Sequence, residues 1–573
     1  MNLRLIHRAI MLTCYNKKGT DKRLMIMREQ MQNNSEVYQG KTKKKSFDES
    51  IKSKINPKGK ANRNAQNSVN RIAAIAIFTF VQVSWLGYIL FRFSIYSIYI
   101  QIAFSLLSII IVLTIYGRHT NSANKMPWMI FIMFIPVFGI LLYVLMGRPG
   151  VTSKARKRFE EIDSKIMTYL KPKKKNFYDL EKINPYIASR IKYVEDYGHF
   201  PVYTNTDVVY FDDAKKGIDD QVRELKKARS FIFMEYYAIQ DTETFEPIKE
   251  VLAQKAAEGL EVRVIYDDIG SGGFINGEFI KRMEDLGIKC RVFNHVSPFF
   301  QVIMNNRDHR KITVIDGKVG YTGGYNLADL YTHKIAPHGF WKDTGVRITG
   351  DGVVTLTALF LEMWNAVKAN DIDDNDLSIF FPRVSYTATE KGNYVQPYAE
   401  TPLDEELLGE NIYMGILQTA KKYCWFVTPY LVITDELSRE FEMAVKRGVD
   451  VRIITPGIPD KKVVNAITKS YYNQLARNGV RIFEYTPGFC HAKMCIADGE
   501  CATVGTLNLD FRSLYLHFED GVYLYKCNAI KDIEVDFVKM FEVSNEVTNK
   551  YHSHRSVPLR ISQCALRIVA PLV

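Results

Sequence analysis

Three long apolar segments interrupt an otherwise polar N-terminal region. They comprise residues 72–91, 94–116 and 126–147. Each is long enough to cross roughly 30 Å of hydrocarbon as a helix. A buried helix of a soluble protein is the alternative, but the scarcity of charge and the Trp and Tyr residues near several ends favour membrane spans. We therefore predict two or three transmembrane helices within 72–147, with a kink at Pro136.

Basic segments flank this apolar region on both sides. Residues 1–71 are polar and rich in Lys, which predicts a mostly disordered segment, and residues 148–199 form a basic linker. The positive-inside rule places both 41–71 and 148–175 in the cytoplasm, which three spans forbid. Either one apolar stretch is re-entrant or interfacial, the first two form something other than two full crossings, or the N-terminus is translocated. We favour a cytoplasmic catalytic region because 148–175 adjoins the last apolar segment.

The pattern changes near residue 200 to short apolar strands separated by amphipathic helices, and it occurs twice. Each copy contains a strand, an amphipathic helix that ends near Gly259 or Gly448, and a β-branched strand. This alternation predicts a mixed sheet flanked by helices in each half. The expected fold is therefore α/β, with two similar halves, 200–385 and 386–573, after the N-terminal transmembrane helices.

One polar signature also occurs in both halves. It reads His-x-Lys-x4-Asp-x6-Gly-(Gly/Thr)-x-Asn. A single His-x-Lys pair carries little information, but five residue types at fixed spacing, found twice in the same order, indicate shared chemistry rather than two unrelated surface loops. The members are His309, Lys311, Asp316 and Asn326 in the first half and His491, Lys493, Asp498 and Asn508 in the second.

The spacing of the signature has a physical reason. The apolar runs 312–315 and 494–497 are typical of buried strands, and the Asp-Gly that follows each suits a tight turn. Side chains at i and i+2 of an extended chain point the same way, so His309 and Lys311 share a face. Imidazole, ammonium and a returning Asn amide suit a tetrahedral anion, which predicts a phosphate site.

These residues resemble the phospholipase D superfamily, and within it the bacterial cardiolipin synthases. The resemblance covers the chain from about residue 200 to its C-terminus, and Thr506 stands where the wider superfamily commonly has Ser. It implies that two similar halves face each other and contribute both histidines to one site. The segments that carry it are 233–237, 255–271, 305–311, 341–344, 487–493 and 508–513.

The resemblance also implies roles for individual residues. One His would attack phosphorus and the other would transfer the proton; the resemblance favours His309 as nucleophile and His491 as acid and base, which the sequence alone does not rank. The expected phosphate ligands are Lys311, Lys493, Asn326 and Asn508. Asp316 and Asp498 belong to the catalytic signature but are expected to brace their turns, and the expected histidine-orienting carboxylates are Asp343 and Glu519.

Cysteine and metal chemistry contribute little to this picture. The eight Cys residues include no Cys-x2-Cys pair, which favours reduced thiols. Cys490 precedes His491, but it has no orienting partner in sequence and is interpreted as structural. The sequence shows no metal-ligand cluster, so we expect neither a metal nor another cofactor, and the phosphate charge would be met by Lys and amide donors.

The predicted reaction is phosphatidyl transfer between two phosphatidylglycerol molecules through a phosphatidyl-histidine, which gives cardiolipin and glycerol. The expected partners are phosphatidylglycerol and anionic membrane lipid, in agreement with a net charge of +13 and a bacterial cell-membrane location. A membrane-bound phospholipase D, a phosphatidylserine synthase, a membrane-tethered nuclease and an inactive lipid-binding scaffold are the alternatives. The apolar segments disfavour the nuclease, so no nucleic acid is expected, and two intact signatures disfavour the scaffold.

Overall fold

The computed structural model describes eleven stretches of the 573-residue chain. The prediction of disorder for residues 1–71 lies outside them. The described residues are 77–78, 80–89, 91–92, 98–118, 122–147, 153–295, 306–368, 376–383, 385–404, 406–553 and 556–570.

The apolar region forms helices α1 (Phe80–Ile89), α2 (Ile98–Tyr116), α3 (Ser122–Phe134) and α4 (Pro136–Met146). Among the described helices, only α2 is by itself long and apolar enough to cross a bilayer. The third predicted span is divided at Ile135, directly before Pro136. A proline cannot donate the backbone hydrogen bond that would continue α3, which explains the break at the predicted kink.

The first half contains a seven-stranded mixed sheet with the order β1-β9-β7-β6-β2-β3-β4. All six residues of the central strand β2 are buried, as expected of a strand covered on both faces. The strands are β1 (Thr206–Phe211), β2 (Phe231–Tyr236), β3 (Glu261–Asp267), β4 (Lys289–Phe293), β6 (Lys311–Ile315), β7 (Val319–Gly323) and β9 (Gly345–Gly350). The helices before and within this half are α5 (Ser153–Ile166), α6 (Lys174–Ile183), α7 (Pro185–Tyr197), α8 (Ala214–Leu225), α9 (Glu246–Ala257), α10 (Asp268–Ser271), α11 (Phe279–Glu284) and α12 (Val353–Val367).

The second half repeats this topology. Its sheet has the order β10-β17-β16-β15-β11-β12-β13, extended by β18, which confirms the predicted α/β fold with two similar halves. The strands are β10 (Tyr394–Glu400), β11 (Tyr423–Val427), β12 (Asp450–Pro456), β13 (Arg481–Tyr485), β15 (Met494–Ala497), β16 (Cys501–Gly505), β17 (His517–Tyr525) and β18 (Ser544–Glu546). The helices are α13 (Leu408–Thr419), α14 (Asp435–Lys446), α15 (Lys462–Arg477), α16 (Phe511–Tyr515), α17 (Ala529–Glu542), α18 (Thr548–His552) and α19 (Val557–Val569).

Two short parallel ladders connect the halves. Strand β5 (Arg307–Asp308) of the first half pairs with the start of β17, and β8 (Phe340–Lys342) pairs with β14 (Gly488–Cys490) of the second half. The mostly buried helix α12 lies against strands of both sheets, so that one apolar core runs through both halves. Each ladder ends directly before a signature histidine, and this placement determines the geometry of the site.

Candidate active site

The ladder between β5 and β17 positions the first signature histidine. It sets Asp308 opposite Phe518, and the next backbone bond runs from the His309 amide to the Phe518 carbonyl at 2.9 Å. The following residue on β17 is Glu519, whose carboxylate lies 2.8 Å from Nδ1 of His309. The carboxylate that orients His309 therefore comes from the second half of the chain.

The ladder between β8 and β14 positions the second signature histidine in the same way, with the roles of the two halves reversed. The His491 amide donates to the Lys342 carbonyl at 2.7 Å, and Nδ1 of His491 lies 2.6 Å from the Asp343 carboxylate of the first half. Both carboxylates are completely buried. In the sequence, Asp343 follows His309 and Glu519 follows His491. In the folded chain, each carboxylate instead contacts the histidine of the other half. Each half is therefore incomplete without the other.

The two histidines share one buried environment. Burial lowers the pKa of His309 well below its ordinary value, and the nearby basic side chains Lys311, His517, Lys493 and His491 lower it further. Burial and Lys493 lower the pKa of His491 to about 4, against the opposing effect of Asp343. Since groups of both signatures act on His309, the fold brings the two copies together.

Both signature lysines are almost completely buried between these groups. Lys311 donates to the His309 carbonyl, while Lys493 donates to the His491 carbonyl and lies 2.8 Å from its Nδ1. Burial lowers the pKa of Lys311 to about 7 and that of Lys493 to about 8. A phosphodiester anion beside the two amino groups would favour their charged forms, so the pair is suited to hold the non-bridging oxygens.

The residue between the histidine and the lysine of the first signature is charged. Arg310 points away from the site and its Nε lies 2.8 Å from the buried Glu235 carboxylate, while Asp308 and Glu362 each lie 3.6 Å from its guanidinium. Ala492 occupies the same position of the second signature and is completely buried. The side chain between the signature histidine and lysine thus lies on the face away from the site. In the first half this face carries the buried charge cluster around Arg310, whereas in the second half it carries Ala492.

The signature asparagines are buried after strands β7 and β16. Asn326 accepts from the Ala238 amide at 3.1 Å and donates to the Tyr331 hydroxyl at 3.0 Å, so it holds neighbouring elements in place. Oδ1 of Asn508 has no hydrogen-bond partner among the described residues. Thr506 donates to Glu519 and thereby steadies the carboxylate behind His309.

The signature aspartates brace turns, as the sequence suggests. Asp316 accepts from the backbone amides of residues 229–231, and Asp498 accepts from those of residues 421–423. Both adopt a positive φ, of 54° and 56°, at the turn that leaves the strand. The two carboxylates therefore fix strand ends, and their hydrogen bonds among the described residues are to backbone amides rather than to either signature histidine.

Aromatic side chains surround the two histidines unequally. The His491 ring packs against Trp341, Tyr331 and Phe489, with centroid distances of 5.4, 5.6 and 5.9 Å. Tyr237 approaches His309 edge-on, with the ring centroids 5.0 Å apart, and lines the other side of the site. The aromatic wall at His491 was not predicted because Trp341 and Phe489 lie on the two strands of the ladder, in opposite halves of the chain.

His517 is a third buried histidine that the sequence analysis missed. Its ring lies 5.7 Å from that of His309, and its Nδ1 lies 3.6 Å from Glu519. Ligand atoms of His309, His517 and Glu519 all lie within 4.8 Å of one another, a geometry that a metal ion could use. The expectation that no metal-ligand cluster exists is corrected in this respect, because the strand pairing between the halves assembles the group. The position of His517 two residues before Glu519 on one strand was the available signal.

Comparison with known proteins agrees with this geometry. A family model described as "Cardiolipin synthase, PLD-like domain" matches residues 222–334 and 413–541, and a phospholipase D-nuclease N-terminal model matches 103–148. A cardiolipin synthase of Halalkalibacterium halodurans is 30% identical over 85% of this chain and 95% of that protein. A cardiolipin synthase of Clostridium perfringens is 32% identical over 79% and 95%.

Two further similarities concern a relative without an assigned function and a solved structure. An uncharacterized protein of Streptococcus mutans is 37% identical over 81% of this chain and 99% of its own length. The crystal structure of phosphatidylserine synthase from Haemophilus influenzae matches 67% of the chain and 99% of that protein with a TM-score of 0.51 and 14% identity, a likeness of fold. With two family-specific signatures in one crossed site and relatives that match along most of their length, the chain belongs to the cardiolipin synthase family of the phospholipase D superfamily.

Proposed function

We propose that this chain is a cardiolipin synthase that transfers the phosphatidyl group of one phosphatidylglycerol to the glycerol hydroxyl of a second. The observation that carries the proposal is the crossed pair of buried histidine–carboxylate contacts beside two buried lysines. Family membership supports the choice of transferase over nuclease. The products are cardiolipin and free glycerol.

In the first half-reaction His309 attacks phosphorus. Its Nδ1 faces Glu519, so Nε2 is the nitrogen that forms the P–N bond. As the bond from phosphorus to the glycerol oxygen breaks, His491 donates its proton to that oxygen and glycerol leaves. The products of this step are a phosphatidyl-histidine and a neutral His491.

In the second half-reaction the glycerol hydroxyl of another phosphatidylglycerol attacks the same phosphorus. His491 takes the hydroxyl proton, the new P–O bond forms and the P–N bond to His309 breaks. Lys311 and Lys493 stabilise the charge that grows on the non-bridging oxygens in both steps. Each histidine returns to its starting protonation state.

The two histidines need opposite protonation states at the start, and their surroundings support this division. Burial favours the neutral form of both. Asp343 raises the pKa of His491, and a phosphodiester anion beside the ring would raise it further. His309 instead has its pKa lowered by burial and by Lys311, which favours its neutral, nucleophilic form.

The test uses the full-length protein in vesicles with phosphatidylglycerol that is radiolabelled in its free glycerol. We expect equal amounts of cardiolipin and labelled glycerol, and added unlabelled glycerol should slow net synthesis because the exchange of one phosphodiester for another is reversible. Phosphatidic acid as the main product would favour a phospholipase D, and a serine-dependent product would favour a phosphatidylserine synthase. Either result would refute the proposed acceptor.

For the arrangement in the membrane, we propose a multi-pass anchor within 72–147 and catalytic halves at 200–385 and 386–573 on the cytoplasmic side. The apolar helix α2 supports membrane association, and the basic helix α5 that follows the anchor supports the cytoplasmic assignment. An impermeant amine reagent on intact cells tests this. Modification of the Lys residues in 153–175 without permeabilisation would place the catalytic halves outside.

A further inference from the structure

The last described helix, α19, presents an apolar face to its surroundings. Val557 and Ile561 each expose 66% of their surface and Ile568 exposes 38%. Cys564 and Ala565 are also exposed and fall on the same side of the helix. Residues that recur every three or four positions lie along one face, so the outward side of α19 is a continuous apolar stripe, defined by Val557, Ile561, Cys564, Ala565 and Ile568.

The opposite side of α19 is fixed to the catalytic region. Arg567 donates to the Ser470 carbonyl at 2.7 Å and to Gln474 at 3.0 Å, and its guanidinium lies 4.3 Å from the centroid of the Tyr471 ring. These three residues belong to α15, and Leu566 packs against the main core. The orientation of α19 is therefore set by contacts on its inner face, and the apolar stripe remains outside.

A contact between α19 and a helix of the apolar N-terminal region indicates what surrounds the stripe. The helix also contacts α3, which belongs to the apolar N-terminal region. Near the end of α3 the side chains Met133, Phe134 and Ile135 expose 57%, 82% and 48% of their surface. Helix α3 lies in the apolar segment that we predict to cross the membrane, and its exposed apolar side chains need the same surroundings as the stripe, so lipid is the occupant that fits both.

A chain of contacts connects α15, the helix against which α19 packs, with the active site. Helix α15 begins directly after Lys461, whose amino group lies 5.7 Å from the centroid of the Tyr430 ring. Tyr430 lies 6.2 Å from Phe489, and Phe489 lies 5.9 Å from His491. A helix held at the bilayer surface would therefore keep this side of the site close to the lipid substrates.

We propose that α19 lies in the lipid–water interface, with its apolar stripe among the acyl chains beside α3. The exposed Arg560, at the edge of the stripe, is placed to meet lipid phosphates. The helix thereby acts as a second contact with the bilayer, at the far end of the chain from the N-terminal anchor. This inference concerns where the catalytic region sits and does not depend on which lipid accepts the phosphatidyl group.

Cys564 provides a direct probe, since it is the exposed cysteine among those that the structure describes. The full-length protein with Cys14→Ser is labelled at Cys564 with an environment-sensitive fluorophore and reconstituted in phosphatidylglycerol–phosphatidylethanolamine vesicles. We expect blue-shifted emission and quenching by nitroxides placed in the acyl chains. Water-like emission without quenching would overturn the proposal, as would a blue shift in detergent that depends only on protein concentration, which would indicate a second copy of the chain.

Matched variants separate this contact from catalysis. Ile561→Glu places a charge on the stripe, whereas Ser562→Glu places the same charge on an exposed position beside it. The first should raise the apparent KM for vesicle lipid by roughly tenfold and leave kcat in mixed micelles unchanged, and the second should change neither. Equal effects of the two variants, or none, would overturn the proposal, and the fluorescence result stands even if the reaction products differ from those proposed.

Discussion

The two halves of the molecule share a strand order and a signature but surround their histidines differently. His309 faces a glutamate and a third histidine, and the residue after it, Arg310, enters a buried cluster of carboxylates. His491 faces an aspartate and an aromatic wall, and the residue after it is a buried alanine. A repeated scaffold thus provides two imidazoles at one site, and their different neighbours give them different proton affinities.

This difference suggests how a symmetric scaffold supports an asymmetric reaction. A nucleophile must be neutral and an acid must be protonated, so one site needs two histidines with different pKa values. Burial and Lys311 favour the neutral form of His309. Asp343 instead favours the protonated form of His491. We therefore propose His309 as the nucleophile and His491 as the proton carrier.

The largest expected effect comes from removing either imidazole. His309→Ala and His491→Ala should each reduce turnover by at least about 10³-fold, because both half-reactions need a nucleophile and a proton carrier. Cardiolipin formation in vesicles measures the rate, and circular dichroism checks the fold. The control is His295→Ala, whose side chain is 56% exposed. Substantial activity in either active-site variant would contradict a site shared by both halves.

The lysines should come next in magnitude. Lys311→Ala and Lys493→Ala should each cost roughly 2–4 kcal/mol of transition-state stabilisation, as expected for donors to a developing oxyanion. The loss should fall on kcat, with lipid association little changed. Lys318→Ala, on an exposed turn of the first half, is the matched control. An unchanged kcat with a higher KM would show that the lysines bind substrate and transition state equally, and would contradict their proposed role.

The crossed carboxylates give a smaller and more specific effect. Asp343→Asn removes the group that raises the pKa of His491, so the acid form of His491 should be lost at lower pH. The alkaline limb of the kcat profile should therefore move to lower pH, with a rate loss of roughly tenfold near neutrality. Glu519→Gln should slow formation of the covalent intermediate instead. Identical pH profiles for the two variants would remove the proposed difference between the halves.

Chelation should have the smallest effect. Lys311 and Lys493 neutralise the phosphate without an ion, so EDTA treatment in neutral detergent should leave the rate unchanged. The His309–His517–Glu519 group makes this a real test, since its geometry could accept a metal. His517→Asn in parallel shows whether any metal effect arises there. A lasting loss of activity that an added divalent ion restores would contradict the metal-free mechanism.

Local sequence patterns were sufficient to predict the two α/β halves and the positions of the two signatures. Residues two apart on a strand share a face whatever the tertiary structure, so the common face of His309 and Lys311 could be predicted, as could the turn at Asp316. The exchange of Asp343 and Glu519 could not, because it depends on ladders between residues far apart in sequence. The aromatic wall and the metal-compatible group depend on the same ladders. Long-range strand register has no short-range signal in a single sequence.

The covalent intermediate shows directly which histidine carries the phosphatidyl group. Enzyme mixed with phosphatidylglycerol is quenched with acid within one turnover, digested and analysed by mass spectrometry. We expect the adduct on His309, its absence in His309→Ala, and its persistence in Asp343→Asn, where proton transfer from the second substrate to His491 is impaired. An adduct on His491, with His309 unmodified, would contradict the assigned division of roles between the two halves.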